Sequence, residues 1–237
     1  MGERPCAADT RSPTAPEAIR QWFGTVGPVP NFGARYNAAP GQELPVVRRH
    51  PKTGERALGL LRWGLIPHWS NDPNIASKTV NARGETVRTV PSFRDAYRLR
   101  RCLVPADAFY EWKATGTTKQ PFAIALRDRQ LFAFAGLWEN WKDPSSGQWL
   151  RTFTILTTKP NELVAPLHDR MPLILAPADY DRWLDVAIDP TSLVRPYPAD
   201  EMTAWPISTR VNRPANDDPG ILERVEGFIL NPFRESR

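Results

Sequence analysis

Cysteine and histidine are scarce in this chain of 237 residues. There are two cysteines, Cys6 and Cys102, and three histidines, none at metal-ligand spacing. That argues against a structural zinc site and reads as free thiols in a cytoplasmic protein. No run is apolar and long enough to cross a bilayer. The opening residues, Met1-Gly2-Glu3-Arg4-Pro5-Cys6, lack the apolar stretch of a signal peptide. Gly2 invites myristoylation, but Cys6 stands where that motif needs Ser or Thr. Repeats, heptads and dividing linkers are also missing. The expectation is therefore one domain over residues 1–237, with its core at about 14–226 and flexible ends.

What is present is ordinary in bulk and unusual in detail. Hydrophobic content is 41% and charged content 24%, as in a globular protein with a substantial core. The 25 prolines favour short strands and loops over long helices. Nine tryptophans and a formal charge of +5, with arginines clustered at Arg94, Arg98, Arg100 and Arg101, are compatible with a single-stranded nucleic acid. Such a partner offers bases to stack on and phosphates to pair with. Taken singly, each tryptophan is better read as core.

A helix is expected from Thr14 to Gly24, with Ile19, Trp22 and Phe23 on one face. Leu44 to Arg49 and Ala57 to Arg62 read as a strand pair around Pro51-Lys52-Thr53-Gly54. Residues Trp63 to Asn81 read as a loop and Ser92 to Leu99 as a short helix. Strands are expected at Cys102 to Lys113, Phe122 to Leu126, Leu131 to Trp141, Thr152 to Thr158 and Pro172 to Leu175. A short helix at Pro177 to Leu184, a polar loop at Pro214 to Pro219 and a last strand at Ile221 to Val225 complete the pattern. The class is α+β: antiparallel strands in a barrel-like sheet, with short peripheral helices.

Four segments carry chemistry. In Phe109-Tyr110-Glu111-Trp112 a carboxyl sits among rings. Lost hydration disfavours its charged form and makes it a usable proton donor near neutrality. The alternatives are an outward-facing Glu111 or one paired with an arginine. Trp63-Gly64-Leu65-Ile66-Pro67-His68-Trp69 is either a stacking wedge or a loop packed by its own side chains. Asn81-Ala82-Arg83-Gly84-Glu85-Thr86 offers an amide and a guanidinium fork for phosphate, or else a helix cap and a solvated salt bridge. Leu167-His168-Asp169-Arg170-Met171-Pro172 places a histidine, which titrates near neutrality, before a Pro-fixed turn. A surface histidine in a polar turn is the other reading.

In order, these segments, together with Tyr36-Asn37-x-Ala39-Pro40 and Arg101-Cys102-Leu103-x-Pro105, resemble the SOS response-associated peptidase (SRAP) family. The resemblance runs from the first helix to the Val225 region. It implies a single SRAP-like domain that acts on single-stranded DNA containing abasic sites. The protein would bond covalently to the open-chain sugar through an N-terminal cysteine, whose α-amine and thiol close a thiazolidine ring. By motif, Asn81 orients that terminus, His168 transfers protons in ring opening and imine formation, and Glu111 is the acid/base carboxyl. Cys6 is the candidate nucleophile. Asn37, Pro40, Trp63, Pro67, Trp69, Arg83, Glu85 and Arg170 would contact or wedge the DNA. The resemblance brings no cofactor, metal or membrane, and a monomer is expected. Peptidase self-processing and abasic-site lyase chemistry belong to the same expectation.

The N-terminus departs from the family pattern of Met-Cys-Gly-Arg. Five residues precede Cys6, so an internal Cys6 has an amide where the chemistry needs an amine. Cleavage of the Pro5–Cys6 bond would free it, and a different translational start is another possibility. A divergent paralog without thiazolidine chemistry is a third; there a Gly2 amine would give only a reversible imine. A non-enzymatic single-stranded DNA-binding module and a thiol peptidase using Cys6 and His168 are the readings from other classes. Cys102, in an apolar strand, reads as a small hydrophobe.

Overall fold

The computed structural model describes residues 15–226. The helix α1 (Pro16–Phe23) carries proline and Glu17 in its first turn, where a missing N–H costs nothing and a negative charge suits the helix dipole. Gly24 ends it at φ 59°, its N–H and that of Thr25 closing onto Gln21 and Arg20 carbonyls. Ile19 and Phe23 are buried, whereas Trp22 stays 39% exposed and does not share their environment. The proposed Thr14 cap, Cys6 and the expected tail fraying lie outside the described residues.

Eleven strands follow: β1 (Glu43–Arg49), β2 (Arg56–Trp63), β3 (Asn81–Arg83), β4 (Arg101–Ala106), β5 (Phe109–Thr115), β6 (Thr118–Leu126), β7 (Phe132–Lys142), β8 (Trp149–Thr158), β9 (Met171–Pro172), β10 (Ile174–Leu175) and β11 (Met202–Pro206). Helices α2 (Arg94–Leu99) and α3 (Tyr180–Leu184) are short and peripheral. Strands β7, β4, β1, β2 and β8 pair in sequence, and β8 pairs back onto β7. The sheet therefore closes on itself. It is a ring of pairings rather than a regular barrel, because β1–β4 and β2–β8 each meet through two residue pairs only. The β2–β8 and β3–β8 pairings are parallel. A second sheet, ordered β11-β6-β5, shares its core with the ring: Phe109, Phe122 and Ile124 pack with Val46, Leu61, Phe134 and Phe153.

The segment from Cys102 to Lys113, expected as one strand, is two strands in two sheets. Ala106 pairs with Phe132, the first residue of β7, so β4 has no partner beyond it. The chain turns at Asp107-Ala108, and β5 takes β6 instead. The loop from Trp63 contains a 3-10 turn (Pro73–Lys78) and ends in β3. The last expected strand is also different. Asp218 accepts from Gly220 N at 3.0 Å and starts a 3-10 turn over Pro219–Leu222, leaving one bridge, Ile207 to Arg224. Among the described residues, no helix is long and apolar enough to cross a membrane.

Candidate functional site

One mouth of the ring opens into a cavity of about 710 Å3, the size of a small-ligand site. Strand ends and loops form its walls. Trp63 closes β2. Its Nε1 donates to Val80 O at 2.8 Å and its ring stacks on Phe153 at 6.2 Å. The next residue must be glycine: Gly64 has φ +119°, and a Cβ there would lie 2.8 Å from Ala76 O. Beside it, β3 runs parallel to β8, placing Asn81 opposite Ile155 and Arg83 opposite Thr157. Gly84 permits this approach, since a Cβ would meet Val194 at 2.5 Å.

Glu111 enters from the second sheet, opposite Phe122 and on the same face as Phe109. Phe109 packs edge-to-face on Phe134. The carboxyl faces the cavity, and burial pushes its pKa up to about 7; nearby His168 opposes that rise and Asp169 adds to it. His168 is held ahead of β9 by a turn in which its N–H donates to Val164 O at 3.0 Å. Both the N–H and the C=O of Arg170 lie 3.0 Å from His168 Nδ1. Nδ1 therefore keeps a partner in either neutral tautomer. Asp169 Oδ1 lies 3.3 Å from Nδ1.

The rim is cationic but partly compensated. Arg170 grips Glu85 bidentately at 2.8 and 2.7 Å and also donates to Thr157 O. That contact holds the Glu85 carboxyl below the usual range. Arg83 has no ion pair among the described residues and lines the cavity. Asn37 lines it too, but its amide is committed: Nδ2 lies 3.0 Å from the carbonyls of Val211, Arg213 and Asn216. Asp217 accepts the backbone N–H groups of Tyr36 and Asn37. The loop at residues 211–217 thus pins the Tyr36–Pro40 wall.

Asn81, Glu111, His168, Asn37, Pro40, Trp63, Arg83 and Arg170 all line this one cavity. Pro67 and Trp69 do not. Pro67 is buried, and Trp69 is 51% exposed beyond a loop anchored by His68 Nδ1, 3.2 Å from Glu139. Glu85 acts on the cavity through Arg170. Sequence reasoning passed over Asp107, a cavity-lining carboxyl whose pKa burial raises, and Tyr110, whose hydroxyl donates to Tyr36 O. Nothing in the sequence marked the first, because Cys102 to Lys113 read as one unbroken strand. Cys102 lies wholly buried inside the ring, where loss of hydration pushes its thiol up and leaves it unreactive. Among the described residues, no three of His, Cys, Asp or Glu converge as a metal site.

The family model described as SOS response associated peptidase (SRAP) matches residues 7–214. The chain belongs to the SRAP family. It is 45% identical over 201 residues to the abasic site processing protein YoqW of Bacillus subtilis (strain 168), covering 83% of this chain and 88% of that one. It is 35% identical to the abasic site processing protein HMCES of Gallus gallus, over 81% of this chain and 66% of the relative. A crystal structure of a Bacteroides thetaiotaomicron protein superimposes with a TM-score of 0.71 at 30% identity, covering 78% of this chain and 82% of that one. That structural neighbour shares the mostly β fold with few short helices.

Proposed function

We propose that this SRAP protein processes abasic sites in single-stranded DNA by bonding to the sugar. One observation carries the reading: a carboxyl poised at about 7 shares a cavity with a histidine, a polar amide and an arginine that has no ion pair among the described residues. That is the equipment for proton transfer to and from a sugar oxygen at neutral pH, next to a phosphate.

The closed sugar opens as Glu111 gives a proton to the ring oxygen and His168 takes the proton of the C1′ hydroxyl, leaving an aldehyde. The α-amine of a terminal Cys6 adds to C1′. The carbinolamine oxygen is protonated and leaves as water, giving an imine. The thiol then adds across the C=N bond: sulfur joins C1′, its proton goes to nitrogen, and the thiazolidine closes. Asn81 orients the amine by accepting or donating a hydrogen bond. Arg83 and Trp63 hold a phosphate and a base at the rim.

Ile19 of α1 lines the cavity, and nine peptide steps lead from Cys6 to Ala15. An extended stretch of that length reaches roughly 30 Å, so the linker can deliver Cys6 to the site. The chemistry requires hydrolysis of the Pro5–Cys6 bond, the self-processing step in this reading.

Intact mass of the purified protein, followed by incubation with a single-stranded oligonucleotide carrying one abasic site, tests the proposal. The expected results are a mass lacking Met1–Pro5 and a heat-stable adduct that Cys6→Ala abolishes. A chain beginning at Cys6 that forms no adduct would sink the thiazolidine reading. An adduct that is trapped only by borohydride, and persists in Cys6→Ala, would assign amine-only lyase chemistry instead.

A further inference from the structure

The ring has a second mouth, opposite the cavity. There β7 loses β4 beyond Leu137, and β2 meets β8 only at Thr152 and Phe153. The rest of β7 and β8 continues as a two-stranded ribbon with cross-strand pairs Trp138–Phe153, Asn140–Arg151 and Lys142–Trp149. Alternation puts these on the face that lines the ring further up. Trp149 is 64% exposed, and Lys142 Nζ stands 5.8 Å from its ring. The Arg48 guanidinium lies 4.6 Å above Trp138, and its Nε is buried with no hydrogen-bond partner among the described residues.

The neighbouring acids are committed elsewhere. Glu139 points to the other face, where Arg100 and His68 hold it. Asp143 accepts from Ser145 and Ser146 in the turn. Burial and, after it, the neighbouring Arg151 charge hold the Arg48 guanidinium below its ordinary value, and Arg48 forms no ion pair among the described residues. The ribbon face thus alternates rings with cations that form no ion pair among the described residues. That combination suits a ligand offering flat rings and phosphates together.

We infer that the β7–β8 ribbon is a second, sequence-indifferent contact for single-stranded nucleic acid, with Trp149 stacking on a base and Lys142, Arg151 and Arg48 meeting phosphates. The inference rests on the nucleic-acid reading of the cavity but uses none of the cavity's residues. Trp149 and Thr157 are eight residues apart on β8, about 26 Å. At about 3.4 Å per stacked nucleotide, roughly eight nucleotides span that distance, so only longer strands engage both ends.

Fluorescence anisotropy of the full chain with labelled undamaged strands of about 6 and about 25 nucleotides tests it, the lengths bracketing that span. The wild type binds the long strand about tenfold tighter or more, as expected for one added stacking contact. The Lys142→Ala/Arg151→Ala pair removes most of that advantage and lowers the slope of log affinity against log salt by about 1.4. Trp149→Ala weakens the long strand by about tenfold. All three side chains are exposed, so circular dichroism is expected to stay unchanged. Unchanged long-strand affinity in a folded double variant, or in Trp149→Ala, overturns the inference. So does displacement by poly-glutamate as effective as by DNA, which would mark a surface for any polyanion. Failure of the cavity reading looks different: no covalent adduct on abasic strands, while long-strand affinity still depends on Trp149.

Discussion

At one mouth of the ring a carboxyl is held at about 7, and an arginine is locked to a glutamate; at the other, Arg48 and Lys142 stand over two tryptophans with Arg151 on the same face, and the adjoining acid, Asp143, is held in its turn by Ser145 and Ser146. The same strands build both. Burial and pairing at the cavity weaken its long-range field, and desolvation there sets a proton affinity suited to chemistry. Exposure of Lys142 and Arg151 at the ribbon keeps their charges hydrated and leaves their field to act at a distance. Sites that react and sites that attract thus make opposite demands on neighbouring charge.

The sharpest test of the reactive end is Glu111→Gln, which keeps the shape and removes the proton. Adduct formation is expected to slow by about 100-fold or more, the usual range for a general acid. The pH profile is more specific. The α-amine must be deprotonated, which sets the acid limb; Glu111 must be protonated, so the wild-type rate falls above about pH 7. In Glu111→Gln that alkaline limb is absent, as rates measured on denaturing gels at several pH values will show. A variant with wild-type rate and profile would remove the distinction between the two mouths.

Much of this site was legible because its residues sit in short contiguous segments. Taken alone, these segments left structural readings open, an outward-facing Glu111, an Asn81 cap and a surface His168; the order of the motifs in the family resemblance is what singled them out together. The ring was not legible, because alternation gives a strand its faces but not its partners. The pairings that close it, Trp63 with Phe153 and Val47 with Leu103, each rest on two residue pairs. Strand β11, which ends at Pro206, was not read from the sequence at all. Only its position at the sheet edge, paired to β6 alone, makes that proline acceptable. Trp69 and Pro67 shared a motif with Trp63, but Gly64 redirects the chain and carries them away from the cavity.

Asn37→Ala probes the cavity wall rather than its chemistry. Two amide hydrogens serve three carbonyls in a buried setting. Removing them is expected to cost about 2–3 kcal/mol, and to lower the melting temperature by about 5–10 °C. A silent Asn37→Ala would mean that the loop at residues 211–217 holds the wall through Asp217 alone.

Glu111 also makes a stability signature. Its pKa is raised on folding, so its contribution is complete below the unfolded value near 4.5 and is lost as pH rises through about 7. Glu111→Gln is therefore expected to be more stable than the wild type at pH 8, by about 1–2 kcal/mol after allowing for partial exposure. The two proteins should melt alike at pH 4. A reversed order in thermal melts would contradict the desolvated carboxyl.

Glu85→Gln carries the smallest effect and bears most directly on the comparison. Arg170 holds the Glu85 carboxyl low, so that stabilisation is present above the unfolded pKa and lost as pH falls, the reverse of Glu111. Because Glu85 is 39% exposed, the loss at pH 7 is expected to stay below about 1 kcal/mol. The variant frees the Arg170 guanidinium, however, and so gives the cavity rim the uncompensated charge that the ribbon already has. Affinity for a short undamaged strand is expected to rise a few-fold, with the salt slope steeper by about 0.7. The covalent rate should gain nothing, since Glu111 and His168 are untouched. If strand affinity stays flat while Arg170 is unpaired, charge compensation is not what separates the two mouths, and the difference lies in shape alone.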